Sequence, residues 1–438
     1  MATNKDTENS TPSAPAPADN DIAKLTEVTE QDLAEAIIDE YGAKYSKDGK
    51  RLLKGPRYAS LYNIKKGTEI IGNSAFTFCL LTSITIPPSV CTMEGNPFQY
   101  WHGHIEIGSP YFKYEDGALI DVEKGVLVAF RSNTESYTIP PSVTTIGEEA
   151  FYECSSLTSI TIPPSVTAIG DSAFSLCSRL TSITIPPSVT SIGNSAFREC
   201  SNLASIAIPP SVINIGSGVF SGCESLTSVI IPPSVTSIGN YAFSGCSNLA
   251  FITIPPSVIN IGSRAFSGCS SLASITIPPS VRTMERNPFC GWYGHIEINS
   301  PYFKYEDGAL IDVEKGVLVA FCSNAESYTI LPSVTAIGEE AFYLCSSLAS
   351  ISIPPSVTAI GDNAFRGCSS LTSISIPPSV TAIDKEAFSS CESLTSITIP
   401  PSVTTIGEKA FYKCTRLSRI LLLCTESSYI PLRKHTQR

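Results

Sequence analysis

Apolar residues recur along most of this chain on a 23-residue period, in a unit reading I-P-P-S-V-T-x-I-G-x-x-A-F-x-x-C-S-x-L-x-S-I-x. In a representative turn, Leu157, Ile160 and Ile162 follow L-x-x-I-x-I. The I-x-I part alternates with period two, which predicts a short strand with Ile inward and Ser159 and Thr161 outward. Pro163 and Pro164 end it, because proline fixes its own φ and donates nothing to a ladder. Val166 and Ile169 predict a second extended segment facing the same core. Gly170 then allows a bend, Asp171 supplies a cap, and Ala173, Phe174 and Cys177 predict a short helical turn. The module phenylalanine falls at Phe151, Phe174, Phe197, Phe220, Phe243, Phe266 and Phe289, and again at Phe342, Phe365, Phe388 and Phe411. A fixed period of this length predicts a solenoid, in which each turn buries its apolar face only by stacking on its neighbours.

The period fails twice in the same way. Phe98 to Phe151 and Phe289 to Phe342 each span 53 residues. The extra chain contains SPYFKYEDGALIDVEKGVLVAF, identical at Ser109–Phe130 and Ser300–Phe321. Its runs ALIDV and VLVAF, separated by Glu-Lys-Gly, predict a β-hairpin inserted near 108–136 and near 299–327. Such identity points to a block duplication, so it does not mark these residues as functional. Residues 45–75 read as a degenerate copy, with Lys47-Asp48-Gly49 as the turn. Upstream, TEQDLAEAIIDEY (Thr29–Tyr41) predicts one short amphipathic helix within 29–44, with Thr29 as N-cap and Asp32 three residues on. Residues 1–28 are polar and acidic, which predicts a disordered tail. Residues 425–438 form a basic C-terminal tail.

Composition narrows the partner class. Charged residues make up 16% of the chain, against roughly 25% in ordinary soluble domains. The net charge is −11, and ten acids against three lysines fall within residues 1–45. No basic stripe exists for a phosphate backbone, which argues against a nucleic-acid partner. No run approaches the roughly 18 apolar residues of a membrane span. The N-terminus lacks the apolar core of an export signal, which read alone points to the cytoplasm. Eleven of the 15 cysteines stand three residues after a module phenylalanine. That spacing predicts an inward ladder of free thiols, because parallel Cβ vectors on stacked turns are poorly aimed for a disulfide.

The pattern LTSITIPPSVTAIGDSAFSLCSR (Leu157–Arg179) resembles the BspA-like, or Treponema pallidum type, leucine-rich repeats, and the resemblance covers residues 45–424. It implies an α/β repeat fold: a right-handed leucine-rich-repeat solenoid with a parallel sheet, short helical turns and inserted β-hairpins. It also implies a non-enzymatic, protein-binding role, since some members are surface proteins that bind host matrix proteins or mediate coaggregation. In this respect the resemblance points to the cell surface.

Candidate sites are sought where the repeat deviates. The outward strand positions are mostly Ser and Thr, a hydroxyl surface with no activating base. Two alternatives to protein binding follow from that surface: a structural array without a dedicated ligand, or an ice- or carbohydrate-binding lattice. Phe251 occupies an outward slot held elsewhere by Ser159, and an exposed aromatic is an interface anchor. His104 and Glu106, with their duplicates His295 and Glu297, point outward from one strand in each half. A His–carboxylate pair is half of an acid–base or metal site, but here no third ligand or nucleophile accompanies it. The five residues are therefore read as partner-binding, with no catalytic, cofactor or metal site. Trp101 and Trp292 stand in cysteine slots and are read as volume filling where the hairpins leave the stack.

Overall fold

The computed structural model describes residues 28–101 and 103–422. The acidic tail, apart from Val28, and the basic tail lie outside the described residues. The chain divides into two compact units, one ending at Phe112 and one beginning at Lys113.

Each regular turn of the second unit has three sides. The first is the predicted strand. Ser159–Thr161 pairs in parallel with Ser182–Thr184, and that with Ser205–Ala207, each residue facing its counterpart 23 residues on. Ile160 and Ile162 are buried and Ser159 and Thr161 exposed. The second side is another parallel ladder, with Ala168 opposite Ser191 and Ile169 opposite Ile192. Between them the Pro-Pro-Ser-Val corner is sewn to the turn before. Ser165 Oγ donates to the Val143 carbonyl at 2.7 Å, and Ser188 does the same to Val166. A serine hydroxyl thus supplies a donor at a corner where two prolines supply none.

The third side differs from the expected helical turn. Ser172, Phe174 and Leu176 donate their N–H groups forward to Asn194, Ala196 and Arg198 of the next turn, at 2.7–2.8 Å. The alternate groups, Ser175 and Cys177, close local turns onto Ser172 and Phe174. Ser172 and Leu176 hold positive φ, 52° and 63°. A helix would keep its N–H groups within one segment; here left-handed residues send half of them to the neighbouring turn. The module glycine also has a different reason from a bend. A Cβ on Gly170 would lie 2.7 Å from the Glu148 nitrogen, and one on Gly193 2.4 Å from the Asp171 nitrogen. Turns stack too closely there for any side chain.

Inside, the phenylalanines stack. Phe174 and Phe197 lie 5.3 Å apart and 2° from parallel, and the run from Phe151 to Phe289 continues at 4.9–5.8 Å. All fourteen cysteines among the described residues are free thiols. Cys177 Sγ donates to the Phe151 carbonyl at 3.1 Å, and Cys200, Cys223 and Cys246 repeat the bond one turn later each time. The slot therefore takes a small buried side chain that is also a weak donor. Burial pushes the Cys200 and Cys269 thiols up to about 12.

The insertion has three strands where two are predicted. Phe303–Glu306, Ala309–Asp312 and Val317–Phe321 pair antiparallel in order. Val317–Phe321 then pairs in parallel with Ala336–Ile337, so the last strand of the insertion becomes the second side of a turn. The first unit opens on the same construction. Ile37–Ile38, Lys44–Tyr45 and Arg51–Lys54 run antiparallel, and Arg51–Lys54 continues in parallel onto Ile70–Ile71.

That arrangement corrects the helix expected over 29–44. Only Glu30–Ala34 is helical, held by a reciprocal Thr29–Asp32 capping box. Asp39 Oδ1 accepts the N–H groups of Tyr41 (3.0 Å) and Ala43 (2.8 Å), and Gly42 sits at φ 88°. This local aspartate turn competes with helix propagation, and the β-branched Ile37-Ile38 pair joins the strand side instead.

Candidate functional site

The inward faces of the strands are consumed by the core, which leaves the outward faces open to solvent. In the second unit, the strands Ser228–Ile230 and Phe251–Thr253 pair with Ser228 opposite Phe251 and Ile230 opposite Thr253. Phe251 is 76% exposed and Ile230 77% exposed. They lie diagonally on one face, about 8 Å apart by strand spacing and rise. Ala207, opposite Ile230 on the other side, continues the interruption of the hydroxyl row.

Two turns beyond Phe251, the strand His295–Ile298 pairs with Ser274–Ile277. His295 and Glu297 are both exposed and share the outward face, with Ile296 buried between them. They do not engage each other. Glu297 Oε2 accepts from Thr276 Oγ1 at 3.0 Å, while the His295 ring stands edge-on to Tyr305 at 5.7 Å. Burial raises the Tyr305 phenol to about 12. In the first unit, His104 and Glu106 are likewise exposed around buried Ile105, and Glu106 accepts from Thr85 at 3.2 Å. Among the described residues no group of three His, Cys, Asp or Glu is placed to hold a metal ion.

Several exposed apolar residues go beyond the single aromatic singled out from the sequence. Ile230 is one. On the second ladder Ile213 and Ile259 are exposed, with Thr236 hydrogen-bonded between them. In the first unit Tyr58, Leu61, Phe78 and Leu80 are exposed, and Phe78 stacks on Tyr100 at 5.0 Å. For the three isoleucines the signal was present: each occupies a slot filled by Thr in other turns.

The two tryptophans are internal. Trp292 Nε1 donates to the Leu272 carbonyl at 2.6 Å, and its ring lies 5.1 Å from Phe289. Trp101 repeats this against Leu81 and Phe98. Each leans on a glycine two residues on, where a Cβ on Gly103 or Gly294 would meet the indole at 2.0–2.1 Å.

Solved structures resemble this architecture. A leucine-rich cell surface protein of Faecalibacterium prausnitzii is 31% identical over 75% of this chain and 98% of its own, with a TM-score of 0.60. A leucine-rich repeat protein of Bacteroides ovatus is 27% identical over 88% of this chain and 91% of its own, at a TM-score of 0.44. The pneumococcal vaccine antigen PcpA shares the fold at 22% identity over 71% of this chain and 81% of its own, at 0.50. No curated protein matches the chain. The BspA type leucine-rich repeat region matches residues 57–111, 129–250, 213–306 and 318–430, in six copies. With that coverage, and with the stacked Phe and Cys ladders that its repeat encodes, the chain belongs to the BspA-type leucine-rich repeat family.

Proposed function

We propose that this chain is a non-enzymatic binding protein that docks a protein partner on the outward strand face of its second unit. Phe251 and Ile230 form the apolar anchor, and His295 and Glu297 the polar rim; His104 and Glu106 play the rim role in the first unit. The observation that carries this reading is the diagonal placement of two more than three-quarters exposed apolar side chains on neighbouring strands of a hydroxyl-rich face. A buried aromatic anchor inside a polar rim is the usual energetic plan of a protein interface. The same residues break the hydroxyl lattice that an ice-binding surface would need.

Cell-surface display fits this role, since a 31%-identical relative is described as a cell surface protein. The test is binding of the full chain to immobilised extracellular-matrix proteins. Binding that Phe251→Ser abolishes supports the docking face. No binding above background to any of them, or binding indifferent to Phe251→Ser, contradicts it and favours the purely structural array.

A further inference from the structure

We infer that the third side of the second unit carries a separate site for a neutral hexopyranose residue of a glycan, in the groove over Gly218. In the regular turns here, the position two residues before the module phenylalanine holds a left-handed residue whose side chain stands on this surface: Ser172, Ser195, Tyr241 and Arg264, at φ 52–57°. Gly218 takes the same place at φ 64° without a side chain. The gap is one turn wide, with a volume of about 280 Å³, bounded by Asn194 and Arg198 on one side and by Asn240 and Tyr241 on the other. That is just below the roughly 300–1,000 Å³ of drug-sized ligand pockets, a size that suits a single sugar ring.

The lining specifies the chemistry. Asn194 Oδ1 accepts the Ser217 N–H at 2.8 Å, and Asn240 Oδ1 accepts the Ser263 N–H at 2.7 Å. Because a backbone N–H is the donor in both, the accepting atom is the amide oxygen, and each NH₂ is left to donate to a ligand hydroxyl. Arg198 is already paired with Glu199 at 2.8 Å, so the groove offers no uncompensated charge to a phosphate or carboxylate. Tyr241 supplies an exposed phenol ring, whose negative face attracts the C–H face of a pyranose.

The ring is held in advance. The Arg264 guanidinium lies 5.9 Å from the Tyr241 ring centroid and 4.5 Å from that of Tyr343. Arg264 is itself fixed by two hydrogen bonds to Glu340, the longer at 2.7 Å. A platform ordered before binding loses little entropy on capture.

The experiment applies the full chain to an array of immobilised neutral hexoses and N-acetylhexosamines, with sialylated and sulfated glycans alongside. The expected result is binding to at least one neutral glycan, lost at least about tenfold in Tyr241→Ala and retained in Tyr241→Phe. Gly218→Tyr fills the gap with a residue the neighbouring turn already carries at this φ, and it abolishes binding. Phe251→Ser leaves glycan binding unchanged, which separates this site from the protein-docking face. Binding of acidic glycans alone, or of no glycan above the Tyr241→Ala background, overturns the inference.

Discussion

Arg264 and Glu340 hold together two turns that are 76 residues apart in sequence, with Nε 2.7 Å from Oε2 and a second bond donated by Nη2 to Oε1. Both sit two residues before a module phenylalanine, and the turn between them contains the insertion. Asn287 occupies the same place in that intervening turn. Its carbonyl accepts from Arg264, its Oδ1 accepts the Phe289 N–H, and its Nδ2 donates to the Glu340 carbonyl. The backbone ladder is interrupted here, and a buried asparagine and an ion pair splice it.

The Glu340 side chain is 6% exposed and that of Arg264 22%, so removing one partner strands a buried charge. Arg264→Ala is expected to lower stability by about 3 kcal/mol. The neighbouring Arg286–Glu339 pair is 54% exposed at the arginine, and Arg286→Ala is expected to cost under about 1 kcal/mol. Urea unfolding of the three proteins, followed by hydrogen exchange across residues 264–342, measures both. Equal effects would remove the splice from the account.

The packing of Trp292 on Gly294 gives a second prediction. A Cβ at position 294 would lie 2.1 Å from the indole and 2.8 Å from the Ala273 carbonyl. Gly294→Ala is expected to cost about 1–3 kcal/mol, as overpacking of a filled core does. In a Trp101→Phe background, the fluorescence of Trp292 shifts to the red as the ring is displaced. An unshifted spectrum with unchanged stability would contradict the packing described.

The thiol ladder makes stability depend on alkaline pH. Burial raises Cys200 and Cys269 to about 12, against about 8.5 for an exposed thiol. The unfolded chain therefore loses these protons first. Stability from the ladder is complete below the unfolded value and is lost as pH rises from about 8.5 toward 12. The slope is about 1.4 kcal/mol per pH unit for each such thiol. Thermal melts between neutral and alkaline pH measure it, and Cys200→Ala flattens the slope by one thiol. A thiol reagent added to the folded protein at neutral pH leaves Cys200 and Cys269 unmodified.

The period made the stacked core legible, because Phe174, Cys177 and Ile160 recur with a spacing only a solenoid satisfies. What was not legible depended on contacts between turns. The helical turn expected at Ala173–Cys177 is indistinguishable in apolar pattern from the observed ladder, since both bury Phe and Cys. The strand Phe303–Glu306 alternates as Phe-Lys-Tyr-Glu, but four residues are too short a run to fix an element, and its pairing with Ala309–Asp312 decides it. Ile37 and Ile38 follow helical spacing from Leu33, yet the turn at Asp39 overrides it. At the candidate face, Phe251 stood out as an aromatic in a serine row, while Ile230 hid because isoleucine is common one position away. The groove over Gly218 appears only when consecutive turns are laid side by side.

The most direct test of the docking face is the affinity of the Ile230→Thr/Phe251→Ser double variant for a partner captured by the native chain. Both changes restore the residue that other turns carry, so the melting temperature is expected to stay unchanged. The account predicts a loss of at least about thirtyfold, the scale of an interface hot spot. An affinity equal to that of the native chain, with the fold intact, would contradict it.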